Sequence, residues 1–158
     1  MMALRQPLRK TTHKLSSLLQ DWIDWPVGVV DCDVAGMTLD SRAVEAGDLF
    51  VACRGGARHA LEFAGQAIQR GAVAVVYEPP ITGISTLPAQ VPCLPLARLG
   101  ERVGELAARF YGQPSQDLIV FGVTGTNGKT SCSHFIAQGF AGREQAACAV
   151  IGTLGNGL

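Results

Sequence analysis

An excess of charge of either sign is missing from this sequence. Thirteen Lys and Arg are matched by 13 Asp and Glu in 158 residues. Without net charge there is no general attraction to nucleic acid or to an anionic membrane, and neither is expected as a partner. Long apolar runs are also absent. None exceeds the six residues of Ala72–Tyr77, whereas a membrane-spanning helix takes ~20. Arg5, Arg9 and Lys10 have no apolar stretch of ~7–15 residues behind them, which argues against a secretion signal. The five cysteines (Cys32, Cys53, Cys93, Cys132 and Cys148) form no C-x-x-C pair. They read as reduced thiols of a cytoplasmic protein. His13, His59 and His134 are equally dispersed, so a His/Cys metal cluster is not supported. Aromatics are scarce at 6%; Trp22 and Trp25 read as packing for the first helix rather than a nucleic-acid platform.

What remains is a foldable α/β pattern. Hydrophobic residues reach 47% and charged ones only 16%, enough to bury a core. The spacing of Leu15, Leu18, Leu19 and Trp22 predicts a helix over 14–23. Short strands are expected at Met37–Asp40, Leu49–Cys53, Ala72–Tyr77 and Val91–Leu94. Helices are expected at Ala60–Arg70, stopped by Gly71, and at Leu96–Tyr111, stopped by Gly112 and Pro114. A boundary near 112–116 then separates a βαβ unit: strand Leu118–Val123, helix Lys129–Phe140, strand Ala147–Ile151. A single βαβ cannot cover both faces of a parallel sheet. The expectation is therefore either that this unit docks on the first domain or, the favoured reading, that the chain is a piece of a longer protein and inactive when isolated.

The chemistry concentrates in residues 118–130, an apolar strand running through Gly125-Thr126-Asn127-Gly128 into Lys129-Thr130 at a helix start. Such a turn aims successive backbone N–H groups and a helix dipole at one point, which suits a phosphate. Lys129 can reach the β- and γ-phosphates, and the Thr130 hydroxyl can ligate Mg²⁺. The strict pattern G-x-x-x-x-G-K-[ST] is not met, because Val123 stands at its first glycine and Gly122 comes one residue early.

The stretch Thr124-Gly125-Thr126-Asn127-Gly128-Lys129-Thr130 resembles the ATP loop of the Mur ligase family. These are ATP-dependent amide-forming ligases of peptidoglycan synthesis, with folylpolyglutamate synthetases as cousins. Leu39-Asp40-Ser41-Arg42, Gly47 to Ala52 and Gly71 to Val76 look like the uridine-nucleotide domain of its MurE and MurF types. Ala107 to Tyr111 and Ile151 to Gly157 look most like the MurE type, whose members add the third amino acid to UDP-N-acetylmuramoyl-L-Ala-D-Glu. Two departures stand out. His59-Ala60 replaces an Asp-Gly pair usual in that type, and Ser131 replaces a common threonine.

The resemblance implies an α/β fold with a UDP-sugar-binding domain at 1–113 and the start of a P-loop ATP-binding domain at 117–158. It implies ATP and Mg²⁺ as cofactors, and the muramoyl dipeptide and diaminopimelate as small-molecule substrates joined through an acyl-phosphate. Gly125, Thr126, Asn127, Gly128, Lys129, Thr130 and Ser131 would bind ATP, Lys129 acting in catalysis and Thr130 on the metal. Leu39, Ser41, Gly56, Ala57 and Arg58 would bind the uridine nucleotide. Arg42 is expected to have a structural or surface role, Asp48 to be a turn residue, and His134 a packed or solvated side chain. Diaminopimelate rather than lysine is expected from overall resemblance. A non-catalytic nucleotide-binding module, another Mur or folylpolyglutamate-type ligase, and a P-loop GTPase or motor ATPase are the alternatives.

Overall fold

The computed structural model describes residues 12–56, 58–81, 83, 88–141 and 148–157. The chain forms two compact units that divide between Asp117 and Leu118.

In the first unit, β1 (His13–Lys14) leads into α1 (Leu15–Leu18), and β2 (Asp33–Val34) pairs antiparallel with β1. Then come β3 (Gly36–Thr38), β4 (Asp48–Ala52), a 3-10 turn (Ala60–Phe63), α2 (Ala64–Gln69), β5 (Ala74–Tyr77), β6 (Cys93–Pro95) and α3 (Leu99–Tyr111). Strands β3 to β6 form one sheet in sequence order, all parallel. The central strands β4 and β5 are nearly all apolar because both their faces are covered. Leu49, Val51, Ala74 and Val76 turn toward Leu15, Leu18, Leu99, Leu106 and Phe110 of α1 and α3. Phe50, Ala52, Val75 and Tyr77 turn the other way, toward Leu61, Ala64 and Ala67. Each such Leu, Val or Phe contributes ~1.5–3 kcal/mol by leaving water.

The expected strands and helices of this unit appear with shifted ends. The helix expected over 14–23 is regular only from Leu15 to Leu18. Asp21 adopts φ +67 and stops it, while turn hydrogen bonds from Trp22 and Ile23 to the Leu19 carbonyl keep the chain coiled. The strand expected at Met37–Asp40 ends at Thr38, whose hydroxyl accepts the Asp40 N–H at 3.1 Å and bends the chain. Helix α3 begins only at Leu99, because Arg98 before it is left-handed at φ 55. Gly71 ends α2 as expected. Its φ is +109, and a Cβ there would lie 2.8 Å from Ala46 Cα, so the turn needs glycine twice over.

In the second unit, α4 (Lys129–Ala141) is followed by β7 (Val150–Gly152) and β8 (Gly155–Gly157). The expected βαβ pairing is corrected here. Residues 118–123 have no ladder partner among the described residues, and Ile119 and Val120 are 84% and 77% exposed. Strand β7 pairs antiparallel with β8 across Thr153-Leu154. Closing a two-residue turn costs far less chain entropy than pairing across a helix. The first part of the expected strand Ala147–Ile151 lies outside the described residues. Among the described residues no helix is long and apolar enough to cross a membrane.

Candidate functional site

The carboxyl ends of β3, β4 and β5 all point the same way, and a cleft of about 600 Å³ opens beside them. Open parallel sheets place ligands at that edge. Leu39, Ser41, Arg58, Cys53, Phe63 and Gln66 are among its lining residues. Leu39, Ser41 and Arg58 were expected from the sequence. Gly56 follows the lining residue Gly55, and Ala57 lies outside the described residues. Phe63 and Gln66 were missed, since the helical pattern marks them only as the outer face of the 3-10 turn and α2.

Side chains around the cleft are tied down. Ser41 is 7% exposed, and its hydroxyl donates to Gln66 Oε1 at 2.8 Å. Arg42 donates to both oxygens of Asp40, Nε–H to Oδ1 at 2.9 Å and Nη2–H to Oδ2 at 2.8 Å. That guanidinium, with the Arg42 backbone N–H, holds the Asp40 carboxyl down at about 2. Arg42 is otherwise exposed, in keeping with the structural role expected of it.

His59 explains one departure from the family pattern. Its Nδ1 accepts the Leu61 N–H at 3.0 Å, and its Nε2 meets the Glu78 carbonyl at 2.7 Å. Only the neutral ring carrying its proton on Nε2 can do both. Nδ1 thus caps the 3-10 turn as an Asp carboxylate would. The Glu78 side chain in turn accepts the Arg54 and Gly100 N–H groups, both at 3.3 Å, linking the end of β4 to the start of α3. Asp48 accepts the Glu45 N–H at 2.8 Å, the turn role expected of it. Burial, reinforced by Glu78, pushes the Cys53 thiol up, so it is no nucleophile at neutral pH.

In the second unit the glycine loop leads into α4. Gly125 and Gly128 have φ +145 and +77, conformations that let backbone N–H groups converge. The Lys129 ammonium folds back onto the loop, donating to the carbonyls of Gly125 and Thr126. Thr126, Asn127 and Ser131 are exposed, and Thr130 is half-buried. A cleft of about 710 Å³ runs beside the loop, with Lys129, Thr130, His134 and Ile151 in its wall. Among the described residues no three His, Cys, Asp or Glu side chains gather to hold a metal. The Thr130 hydroxyl is a hard oxygen ligand that fits Mg²⁺ arriving with phosphate oxygens and water.

A family model described as "Mur ligase family, catalytic domain" matches residues 33–111, half of the chain. The chain belongs to the Mur ligase family. That match runs from the start of β2 to the end of α3. Similar Mur ligases include the UDP-N-acetylmuramoyl-L-alanyl-D-glutamate–2,6-diaminopimelate ligase of Alkalilimnicola ehrlichii. It is 42% identical over 155 residues, covering 92% of this chain and 30% of the relative. The ligase of the same name from Pseudomonas putida is 46% identical over 123 residues, covering 77% and 24%. A solved structure of a 2,6-diaminopimelate ligase aligns with TM-score 0.62 and 31% identity over 93% of this chain and 29% of that one. The D-alanyl-D-alanyl-adding ligase of Acinetobacter baumannii shares the fold, with TM-score 0.58 at 24% identity over 82% and 28%. The chain thus spans under a third of the length of these Mur ligases.

Proposed function

We propose that this chain is part of an ATP-dependent ligase of peptidoglycan precursor synthesis. The whole enzyme joins meso-diaminopimelate to UDP-N-acetylmuramoyl-L-Ala-D-Glu. The observation that carries this reading is the 42% identity to the Alkalilimnicola ehrlichii ligase over 155 residues, which takes in both the cleft and the glycine loop. The first unit acts as the UDP-sugar-binding domain, and residues 117–158 begin the ATP-binding domain. The substrates are small molecules met in the cytoplasm, and neither nucleic acid nor membrane takes part.

In this reading, Leu39, Ser41 and the 56–58 loop take the uridine nucleotide. The loop N–H groups from Gly125 to Gly128 and the α4 dipole hold the triphosphate. Lys129 leaves its carbonyl partners and places its charge on the β- and γ-phosphates, where negative charge builds as the substrate carboxylate attacks the γ-phosphorus, the β,γ-bridge breaks, and ADP leaves an acyl-phosphate behind. Thr130 would offer its hydroxyl to Mg²⁺, which would supply neutralisation of the phosphate charge.

A chimera tests the reading. Residues 1–158 replace the matching segment of the Alkalilimnicola ehrlichii ligase, and phosphate release is followed. Release that requires ATP, the muramoyl dipeptide and diaminopimelate together is expected. A folded chimera that releases no phosphate with all three overturns the proposal.

A further inference from the structure

The chain leaves β4 at Arg54 and reaches the 3-10 turn at His59, and these two residues form an isolated antiparallel bridge. Beside it the Ala60 N–H donates to the Cys53 carbonyl at 3.2 Å. The bridge is the neck of the 54–59 segment, whose Gly55 and Arg58 line the cleft. The segment is tightly folded, since a Cβ on Gly55 would collide with the Arg58 carbonyl. Both neck residues are held by one residue at the end of β5. The Glu78 carboxylate accepts the Arg54 N–H at 3.3 Å, and the Glu78 carbonyl accepts His59 Nε2–H at 2.7 Å. The same carboxylate oxygen accepts the Gly100 N–H at 3.3 Å. Gly100 lies in the first turn of α3, and the positive end of a helix favours a carboxylate there. Glu78 therefore ties the neck to β5 and to α3, two elements anchored in the core.

We propose that Glu78, acting through His59 and Arg54, is a positioning residue of the ligase. It closes the neck of the 54–59 segment and so fixes Gly55 and Arg58 against the cleft, which Glu78 itself does not line. The Arg58 side chain makes no hydrogen bond or ion pair of its own among the described residues, so its placement depends on the main chain that the neck holds. A segment held in place before substrate arrives spares the cost of ordering it on binding. Loss of the clamp therefore weakens substrate binding rather than the chemical step. This rests on the reading of the cleft as the nucleotide-sugar site and deepens it by assigning the placement of its loop to a residue outside it.

The experiment compares Glu78→Ala, which removes the carboxylate, with Glu78→Gln, which keeps an acceptor oxygen, in the Alkalilimnicola ehrlichii chimera. Glu78→Ala should raise KM for the muramoyl dipeptide at least tenfold, while kcat and KM for ATP stay within twofold. Glu78→Gln should bring that KM back to within threefold of the parent. A merely structural role would lower the unfolding midpoint and leave KM where it was. In the 158-residue chain, Glu78→Ala should speed amide exchange at Ala60 at least tenfold and leave Val75, bonded to the Pro92 carbonyl at 2.8 Å in the sheet, unchanged. An unmoved KM, or Ala60 exchange that rises no more than that of Val75, overturns the role of Glu78. Leu39→Arg, at an exposed position in the cleft wall, keeps the two readings apart. If it raises KM for the muramoyl dipeptide and Glu78→Ala does not, the clamp alone falls. If Leu39→Arg leaves that KM unmoved, or the folded chimera is inactive, the cleft assignment falls and this inference with it.

Discussion

Asp40 and Arg42 form a two-pronged ion pair within a single turn, Nε–H to Oδ1 and Nη2–H to Oδ2, at the mouth of the cleft. Such fork-to-carboxylate geometry is the strong form of the contact. The arginine is thereby spent on its neighbour, and the aspartate is kept ionised far into acid.

The pair predicts a titration. The Asp40 carboxyl should titrate at about 2 rather than 3.8, and Arg42→Met should return it toward 3.8. Because the folded value is the lower one, any stability the pair supplies is present above pH 3.8 and lost as pH falls through about 2. Carboxyl chemical shifts followed by NMR read both midpoints. An unmoved Asp40 in Arg42→Met would sink the assignment.

His59 should be replaceable in part. His59→Ala loses the Leu61 cap and the bond to the Glu78 carbonyl, an expected cost of about 2 kcal/mol. His59→Asp keeps a capping oxygen and should cost about half as much. Urea midpoints of the three proteins test the order, and equal losses for Asp and Ala would show that the cap is worthless.

Gly71 should resist substitution. At φ +109, with Ala46 Cα 2.8 Å from a new Cβ, Gly71→Ala combines backbone strain with a clash against main chain. The expected loss is ~2–3 kcal/mol. By contrast Gly104, where a Cβ meets open space within helix α3, should gain up to ~1 kcal/mol as Ala. Thermal unfolding of the two variants reads the opposite signs.

Arg109 should matter to the α1–α3 contact. Its guanidinium lies 3.9 Å from the Trp22 ring centroid and donates to the carbonyls of Leu18 and Gln20 at 3.2 and 2.7 Å. Arg109→Met should cost about 2 kcal/mol and shift Trp22 fluorescence to longer wavelength. An unchanged spectrum would mean that the ring is held by other contacts.

Lys129→Ala, placed in the chimera, should lower phosphate release by at least a hundredfold while leaving the unfolding midpoint within about 0.5 kcal/mol of the parent, as expected for an exposed side chain. A stable variant with near-parental turnover would remove Lys129 from the mechanism.

The sheet was legible because β4 and β5 are buried on both faces, and unbroken runs such as Leu49–Ala52 announce this. Helix α3 and the glycine stop at Gly71 were legible for similarly local reasons. The loop around Lys129 was visible because its glycines, lysine and hydroxyl are contiguous. What escaped depends on pairing between distant residues. The bond from Ser41 to Gln66 spans 25 positions, and no periodicity in α2 reveals it. Strand β8 escaped because Gly155, Asn156 and Gly157 have no strand propensity and pair only because the turn beside them is short. The length of α1 escaped because a positive φ at Asp21 is a tertiary outcome, not a composition rule.

Strands β3, β4 and β5 each hand the chain to a separate segment at the same edge: 39–42 after β3, 53–56 after β4, and Glu78 after β5. The ladder that aligns those loops is main-chain pairing behind them, and the side chains of His59 and Glu78 add ties across its edge. The cleft is therefore a modular surface. Exchanging residues 54–58 for those of a relative, with His59 and its cap kept, should retune what is bound without reregistering a strand, so ligand preference in such a domain can drift while the scaffold stays put.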